Sequence, residues 1–376
     1  MYLTNVKRKI LIASFLKPVN DIRSFKKMAV SIAKNNRYDV YTTGYPVSLS
    51  KDNQNVTLLP LKPFKRNGIG RIRARREVWK IYLKLKPEVI IVNSPDLLVV
   101  TVIYKILFGS KIIYDIRENY FRNLWYQSNY IVGIRHILAI AIRTIEVITA
   151  PFFNHFLLAE KVYSKQLKFI RHRYTIIENK SLQTDIMKSQ KGNGNTLQFL
   201  ISGTIAREYG VLEGISFYKQ VRESFPGSRL MIIGHCANKK TFELLEQHAN
   251  EDDTIHLNIS TVPLPHFEIE NAMLQSDVGL LPYLPNRSTD GKWPTKLFEY
   301  MAYALPFIIQ QSPTWNSFVV GNKEGIVLDF TDDTEFSGSA ISELLAVSSN
   351  AKKVPGIFWH EEEEKLENVL EQLFVN

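Results

Sequence analysis

The stretch KILIASFLKPVNDIRSFKKMAVSIAKNNRYDVYTTG, residues 9–44, decides how the fold is read. Its opening KILIASF (9–15) is a short apolar run, as expected for a strand covered on both faces. DIRSFKKMAVSIAKN (21–35) then places Ile22, Phe25, Met28, Ala29 and Ile32 at helical spacing, and YDVYTTG (38–44) returns to strand character. Strand, helix and strand in succession make a βαβ unit, whose crossover forces the two strands to run parallel.

Working outward, the alternation continues with NVTLLPL (55–61), a helix over 71–86, VIIVN (89–93), a helix over 95–107 and KIIYDI (111–116). It then starts again. TLQFLISG (196–203), a helix over 210–223, SRLMIIG (228–234), a helix over 238–249 and TIHLN (254–258) open a second series. DVGLLPY (277–283), a helix over 294–304, PFIIQ (306–310) and GIVLDF (325–330) complete it. Between the series lies KSLQTDIMKSQKGNGNT (180–196), polar, glycine-containing and without periodicity, which has the composition of a linker. The expectation is two Rossmann-like α/β domains, residues 1–180 and 196–355, joined by a linker over 181–195. A last amphipathic helix, 356–376, begins around EEEE (361–364) and is expected to pack back on the first domain. Ligands of such sheets bind beyond the carboxyl ends of the strands, which places a cleft between the two domains.

A length of 376 residues suits two domains. With 45% hydrophobic and 22% charged residues, the chain is outside the collagen-like, disordered and disulfide-scaffold classes. A net charge of +10 points to an anionic partner: phosphates, nucleic acid or a membrane surface. The single cysteine, Cys236, has no partner for an internal disulfide, which favours a reducing cytoplasm. The apolar run Ile10 to Leu16 is too short and too interrupted for a secretory signal and reads as a strand. Residues 131–153 carry Arg135, His136, Arg143 and Glu146, so they are not expected to span a bilayer.

GxxxxGK[ST], HExxH, paired CxxC and Asp-x-Asp strings are all missing, and Gly68-Ile69-Gly70 lacks the third glycine of a dinucleotide fingerprint. The eight histidines have no metal-ligand spacing; His235 and His256 read as loop or strand-end residues, and no metal is expected. The informative segment is PTKLFEYMAYALPFI (294–308). Pro294 marks a helix start, and the free amides and positive dipole of that end suit a phosphate. Thr295, Lys296 and Glu299 share one face, whereas Phe298, Met301, Ala302 and Leu305 form the apolar face. One short helix thus offers an anion site, a cation for it and a carboxylate able to accept from two hydroxyls, which is what a nucleotide sugar requires. The alternative is an ordinary amphipathic helix with Lys296 and Glu299 solvated.

GKWPTKLFEYMAYALPFI resembles the donor-site segment of the family 4 glycosyltransferases, two-domain enzymes of GT-B fold with parallel sheets facing an interdomain cleft. The first helix and second strand, KIIYDIRENY, TIIENK, SGTIAREYG, MIIGH and NAMLQSDVGLLPY resemble further landmarks of that family in the right order. The resemblance implies that Glu299 holds the donor ribose and that Lys296, with the backbone of Thr295 and Leu297, lies near the diphosphate. It places the loop from Gly203 to Gly210 on the same phosphates, with Arg207 as its only cation, and makes the first domain the acceptor domain. Thr204 and Tyr209 stand where the family commonly has Arg and Lys. The first glutamate of its E-x7-E pattern falls at Gly291, so neighbouring Asp290 is the available carboxylate. Asp115, Arg117 and Glu118 occupy the acceptor-side loop, Arg117 replacing a common histidine, and the family's glycine pair after the first strand is absent from SFLKPVND (14–21).

Two surface features bear on the acceptor. From 62 to 86 lie ten basic residues, among them Lys65 and Arg66, against Glu77 alone; Arg73, Arg76, Lys80 and Lys84 line one helix side opposite Ala74, Val78, Ile81 and Leu85. That stripe suits an anionic membrane or is merely solvated. The helix over 131–150 has a narrow polar strip and a wide apolar face, meaning deep packing or immersion in the lipid interface. No nucleic-acid module is visible. The expected function is a retaining, metal-independent hexosyltransferase without cofactor. It would act from the cytoplasm at the inner face of a membrane, moving sugar from a nucleotide donor to a lipid-linked glycan in cell-surface polysaccharide synthesis. A non-catalytic binding partner of the same fold and a sugar-nucleotide epimerase are the alternatives.

Overall fold

β1 (Arg8–Pro18) is buried from Ile10 to Ser14 and on to Phe15, because strands lie on both sides of it and helices cover both faces. The computed structural model describes residues 7–47, 54–64, 70–126, 132–183, 196–322, 325–332, 338–346 and 354–375. They fall into two units: residues 1–179 with 359–376, and residues 180–358.

In the first unit β1 is joined by β2 (Tyr38–Tyr45), β3 (Val56–Pro60), β4 (Val89–Val92), β5 (Lys111–Ile116), β6 (His155–Leu158) and β7 (Tyr174–Ile176). All pairings are parallel, in the order β3-β2-β1-β4-β5-β6-β7, so the order reverses between β1 and β4. β6 and β7 were not expected. Their runs are only HFLL and YTI, too short to show a period among the surrounding turns. The helix expected at 21–35 is present but wound differently: a π-helical segment, Ile22–Ala29, capped by Asp21, runs into α1 (Val30–Ala33).

α2 (Gly70–Leu85), α3 (Pro95–Phe108), α4 (Tyr120–Tyr126), α5 (Val132–Thr149) and α6 (Tyr163–Gln166) follow in chain order. α2 buries Ala74, Val78 and Tyr82, and the Tyr82 and Thr101 hydroxyls meet at 2.9 Å to fix it to α3. Arg73, Arg76, Lys80 and Lys84 are exposed on its outer side, as the spacing predicts; Lys65 and Arg66 lie outside the described residues. α5 resolves the question posed by its pattern. Its polar strip faces the protein, Glu146 being buried and Arg143 half-buried, while Ile134, Ile137, Leu138, Ile140, Val147 and Ile148 are exposed.

The second unit holds β8 (Gln198–Thr204), β9 (Arg229–His235), β10 (Ile255–Ser260), β11 (Val278–Leu281), β12 (Phe307–Gln310) and β13 (Gly325–Leu328). They form a parallel sheet in the order β10-β9-β8-β11-β12-β13, reversing between β8 and β11. α7 (Val211–Ser224), α8 (Lys239–Glu251), α9 (His266–Gln275), α10 (Thr295–Ala302), α11 (Asn316–Asn322) and α12 (Gly338–Ala346) cover it. Residues 184–195 of the expected linker lie outside the described residues, and Ser181 pairs with Phe358 in an isolated parallel bridge. α13 (His360–Val375) belongs to the first unit, with Glu362, Leu366, Val369 and Leu370 buried there. Trp359 Nε1 donates to Ser31 Oγ at 2.9 Å, and Phe374 stacks on Tyr38 with 6.2 Å between ring centroids. Among the described residues no helix is long and apolar enough to cross a membrane.

Candidate active site

At the reversal between β8 and β11, the loops leaving neighbouring strand ends turn to opposite faces and open a crevice, the general ligand site of such sheets. Gly203, the last residue but one of β8, has φ +108°, a conformation that suits glycine, and a Cβ there would stand 2.9 Å from Lys296 Cε. The aliphatic stem of Lys296 therefore lies directly on the Gly203 backbone. Gly210, φ +73°, starts α7 in equally close quarters: a Cβ would fall 1.8 Å from the Pro282 carbonyl oxygen. Glycines at both ends of the loop 203–210 thus bring it down onto the mouth of β11. Thr204 and Arg207 are exposed on this loop, while Tyr209 packs edge-on against Tyr283 at 5.7 Å.

α10 supplies the other wall. Pro294 takes its N-cap position with extended backbone and no side-chain cap. Ala304, φ +51°, lies just past the end, so the helix is shorter than the 294–304 expected. Tyr300 fixes the helix, its hydroxyl 3.0 Å from Ser202 Oγ and its ring filling the space over Gly279. Burial raises the Tyr300 phenol well above its ordinary value, so this hydroxyl stays neutral and holds position. Phe298, Met301, Ala302 and Leu305 are core, as their spacing predicts, and the Leu297 side chain joins them. Trp293 stacks on Phe298 with 5.7 Å between centroids and 11° between planes, holding the approach to the helix.

Lys296 and Glu299 meet as an i, i+3 ion pair between Nζ and Oε2, both side chains nearly buried. The two groups are therefore coupled rather than separately solvated. A ligand anion that draws Nζ away must replace the Glu299 carboxylate, and one that offers hydroxyls to Glu299 helps to release it. Thr295 stands half-buried beside them and Asp290 is exposed in the preceding turn, its amide donating to Asn286 O at 2.9 Å. Gly291 has φ +76°, which an L-residue rarely adopts; the local backbone accounts for glycine where the related pattern has glutamate.

The expected acceptor-side residues lie in the first unit at the ends of β1 and β5. Asp115 is fully buried, receiving Arg23 Nη2 at 2.8 Å and Arg117 Nε at 2.9 Å. Arg117 also donates to Asp21 Oδ2 at 2.6 Å, and Asp21 caps the π-helical segment by accepting from Ser24 N at 3.0 Å. Burial alone would raise the Asp115 carboxyl, but the two guanidiniums hold it below its ordinary value. The Asp115 carboxylate thus organises two arginines and has no face toward a ligand. Glu118 is the member that reaches solvent, accepting from Asn123 Nδ2 at 2.7 Å, with Lys17 Nζ 3.9 Å away. Arg23, Tyr300 and Ser202 were not singled out in the sequence. Arg23 lies 92 positions from its partner, and the other two read as ordinary helix and strand residues. Among the described residues no three His, Cys, Asp or Glu side chains gather as a metal-binding set.

Residues 183–353 match the model of glycosyl transferases group 1. Comparison with curated proteins by sequence yields no match. Sucrose-phosphate synthase from Thermosynechococcus elongatus superposes with a TM-score of 0.72 at 12% identity, covering 98% of this chain and 100% of that one. HepE of Anabaena in complex with UDP-glucose gives 0.65 at 13% identity, over 97% and 99%. WaaG, a glycosyltransferase involved in lipopolysaccharide biosynthesis, gives 0.59 at 14% identity, over 96% and 95%. Two parallel sheets in this strand order, superposing over nearly the whole chain on these structures, give the chain a GT-B fold, and its second unit contains the segment similar to glycosyl transferases group 1.

Proposed function

We propose that the chain transfers a hexosyl unit from a nucleotide-sugar donor to a glycan acceptor, in the manner of family 4. The observation that carries the reading is the Lys296–Glu299 pair laid on Gly203 at the β8–β11 reversal. HepE in complex with UDP-glucose has the same fold and supports a nucleotide-sugar donor in that crevice. As the glycosidic bond breaks, positive charge grows on the sugar and negative charge on the departing diphosphate. Lys296, Arg207 and the first amides of α10 are the groups proposed to meet that negative charge, without a metal. Glu299 is proposed to take the ribose hydroxyls, and Thr204 and Thr295 to line the phosphate path, with Asp290 on the sugar side. The proposed outcome is retention of anomeric configuration.

The basic row of α2 and the likeness to WaaG support a lipid-linked acceptor, used in cell-surface polysaccharide synthesis by an enzyme peripheral to the inner membrane face. A panel of nucleotide sugars tested for thermal stabilisation, then for transfer and hydrolysis, checks the donor. Lys296→Ala should lower turnover by roughly 10²–10³, as removal of other electrostatic stabilisers does. Glu299→Gln should mainly weaken donor binding. Near-normal kinetics in both folded variants would remove the donor site from this crevice.

A further inference from the structure

α5 is built with its polar side inward. Glu146 accepts from the Tyr114 hydroxyl at 2.9 Å, Arg143 donates to Asn119 Oδ1 at 2.7 Å, and the His136 ring lies 4.2 Å from that of Trp125. The half that meets solvent has Thr144 as its one polar side chain among the described residues, and Ile137 there is 69% exposed. α3 packs beside α5 and repeats the pattern, with Val99, Ile103, Ile106 and Leu107 exposed at i, i+4, i+7 and i+8. Two adjacent helices thus offer one broad apolar face, larger than the scattered exposed residues of an ordinary surface and of the kind that marks an interaction site.

The border of that face identifies the occupant. α2 packs against α3 and presents Arg73, Arg76, Lys80 and Lys84 to solvent. The acids of the three helices are withdrawn: Asp96 is held by Arg71 at 2.6 Å and Arg75 at 3.0 Å, Glu77 accepts from Lys62 N at 2.8 Å, and Glu146 is buried. Among their described residues no carboxylate is exposed. A two-fold contact between copies sets the same patch on both subunits, so it brings this uncompensated positive border against itself. Anionic headgroups bordering an acyl interface complement both parts. We propose that the α3–α5 face lies in the interfacial layer of an anionic bilayer, with the α2 row on its phosphates. This deepens the peripheral location in the functional reading above.

The test is flotation of the full chain with vesicles of phosphatidylglycerol and phosphatidylcholine, and with phosphatidylcholine alone, at low and high salt. Ile137→Gln with Ile148→Gln, and Ile103→Gln with Ile106→Gln, should each weaken binding about tenfold or more even at low salt. They should leave thermal stability intact, because these side chains are exposed in the free protein. Arg73, Arg76, Lys80 and Lys84 changed together to Gln should remove most of the preference for phosphatidylglycerol and most of the salt dependence. A wild-type chain that does not float, or apolar variants that float as it does, overturns the proposal. So does a wild-type dimer in light scattering that the apolar variants convert to monomer without any lipid binding. Flotation of a chain that binds no nucleotide sugar supports this surface and overturns only the donor reading.

Discussion

Glu146→Gln should make the protein more stable, and by an amount set by pH. Glu146 is 1% exposed, and burial, opposed by Arg143 and the Tyr114 hydroxyl, raises its carboxyl from 4.5 to about 7. Below its ordinary value the group is protonated in the folded and unfolded chain alike and has no effect on stability. As pH rises through the interval up to about 7, the unfolded chain releases a proton that the folded chain retains, so stability falls and then stays low. At roughly 1.4 kcal/mol per unit, the full penalty is about 3 kcal/mol near pH 8 and well under about 1 kcal/mol near pH 4. Glutamine mimics the protonated form in shape and accepts the same Tyr114 hydrogen bond, so the variant lacks the penalty. Urea unfolding followed by circular dichroism at several pH values reads the difference. The curves should coincide in acid and separate by about 3 kcal/mol in mild alkali, the variant being the more stable. Equal stability at alkaline pH, or a variant weaker there, would show that the carboxylate is stabilised where it sits and refute the reasoning.

Asp115→Asn leaves Arg23 buried without its anion, and Arg117 with Asp21 as its remaining carboxylate, and should cost about 3–5 kcal/mol in the same unfolding experiment. The wild-type Asp115 and Asp21 carboxyls lie below their ordinary values, so their contribution is present above the unfolded value and is lost as pH falls through the folded one. Gly203→Ala puts a methyl group against Lys296 at φ +108°; it should lower donor affinity while costing about 1–3 kcal/mol of stability, measured by donor titration and thermal melting. Transfer activity should survive exhaustive chelation, and loss with EDTA that Mn²⁺ or Mg²⁺ restores would put a metal on the diphosphate.

The alternation of strand and helix was legible because parallel strands buried on both faces read as continuous apolar runs, as KIIYDI does over exactly the residues of β5. Lys296 and Glu299 were legible as neighbours, since i, i+3 spacing on a helix is local geometry. Their mutual pairing depends on near-burial by Gly203 and the surrounding sheet, which spacing does not carry. The helix at 131–150 shows the limit most clearly. Amphipathicity tells that a helix has two sides, and burial of the apolar one is the usual outcome. In α5 the polar side found Tyr114 and Asn119, partners from other parts of the chain, and turned inward. The lock on Asp115 was likewise hidden, because Arg23 reaches it only after β1 and β5 have taken their places in one sheet.

The return of α13 to the first unit has a consequence for biosynthesis. Trp359, Leu366, Val369 and Leu370 close a face of the first unit that Ser31 and Tyr38 help to form, yet all of the second unit lies between them in the chain. A ribosome making this protein releases residues 180–358 before the helix that seals residues 1–179 exists. The first unit must wait with that face open while the second is synthesised, so the second unit, continuous in sequence, is free to complete its fold first. Removing the last helix would leave the nascent intermediate as the final product: a sheet with Phe374 missing from Tyr38 and an apolar seam exposed to chaperones.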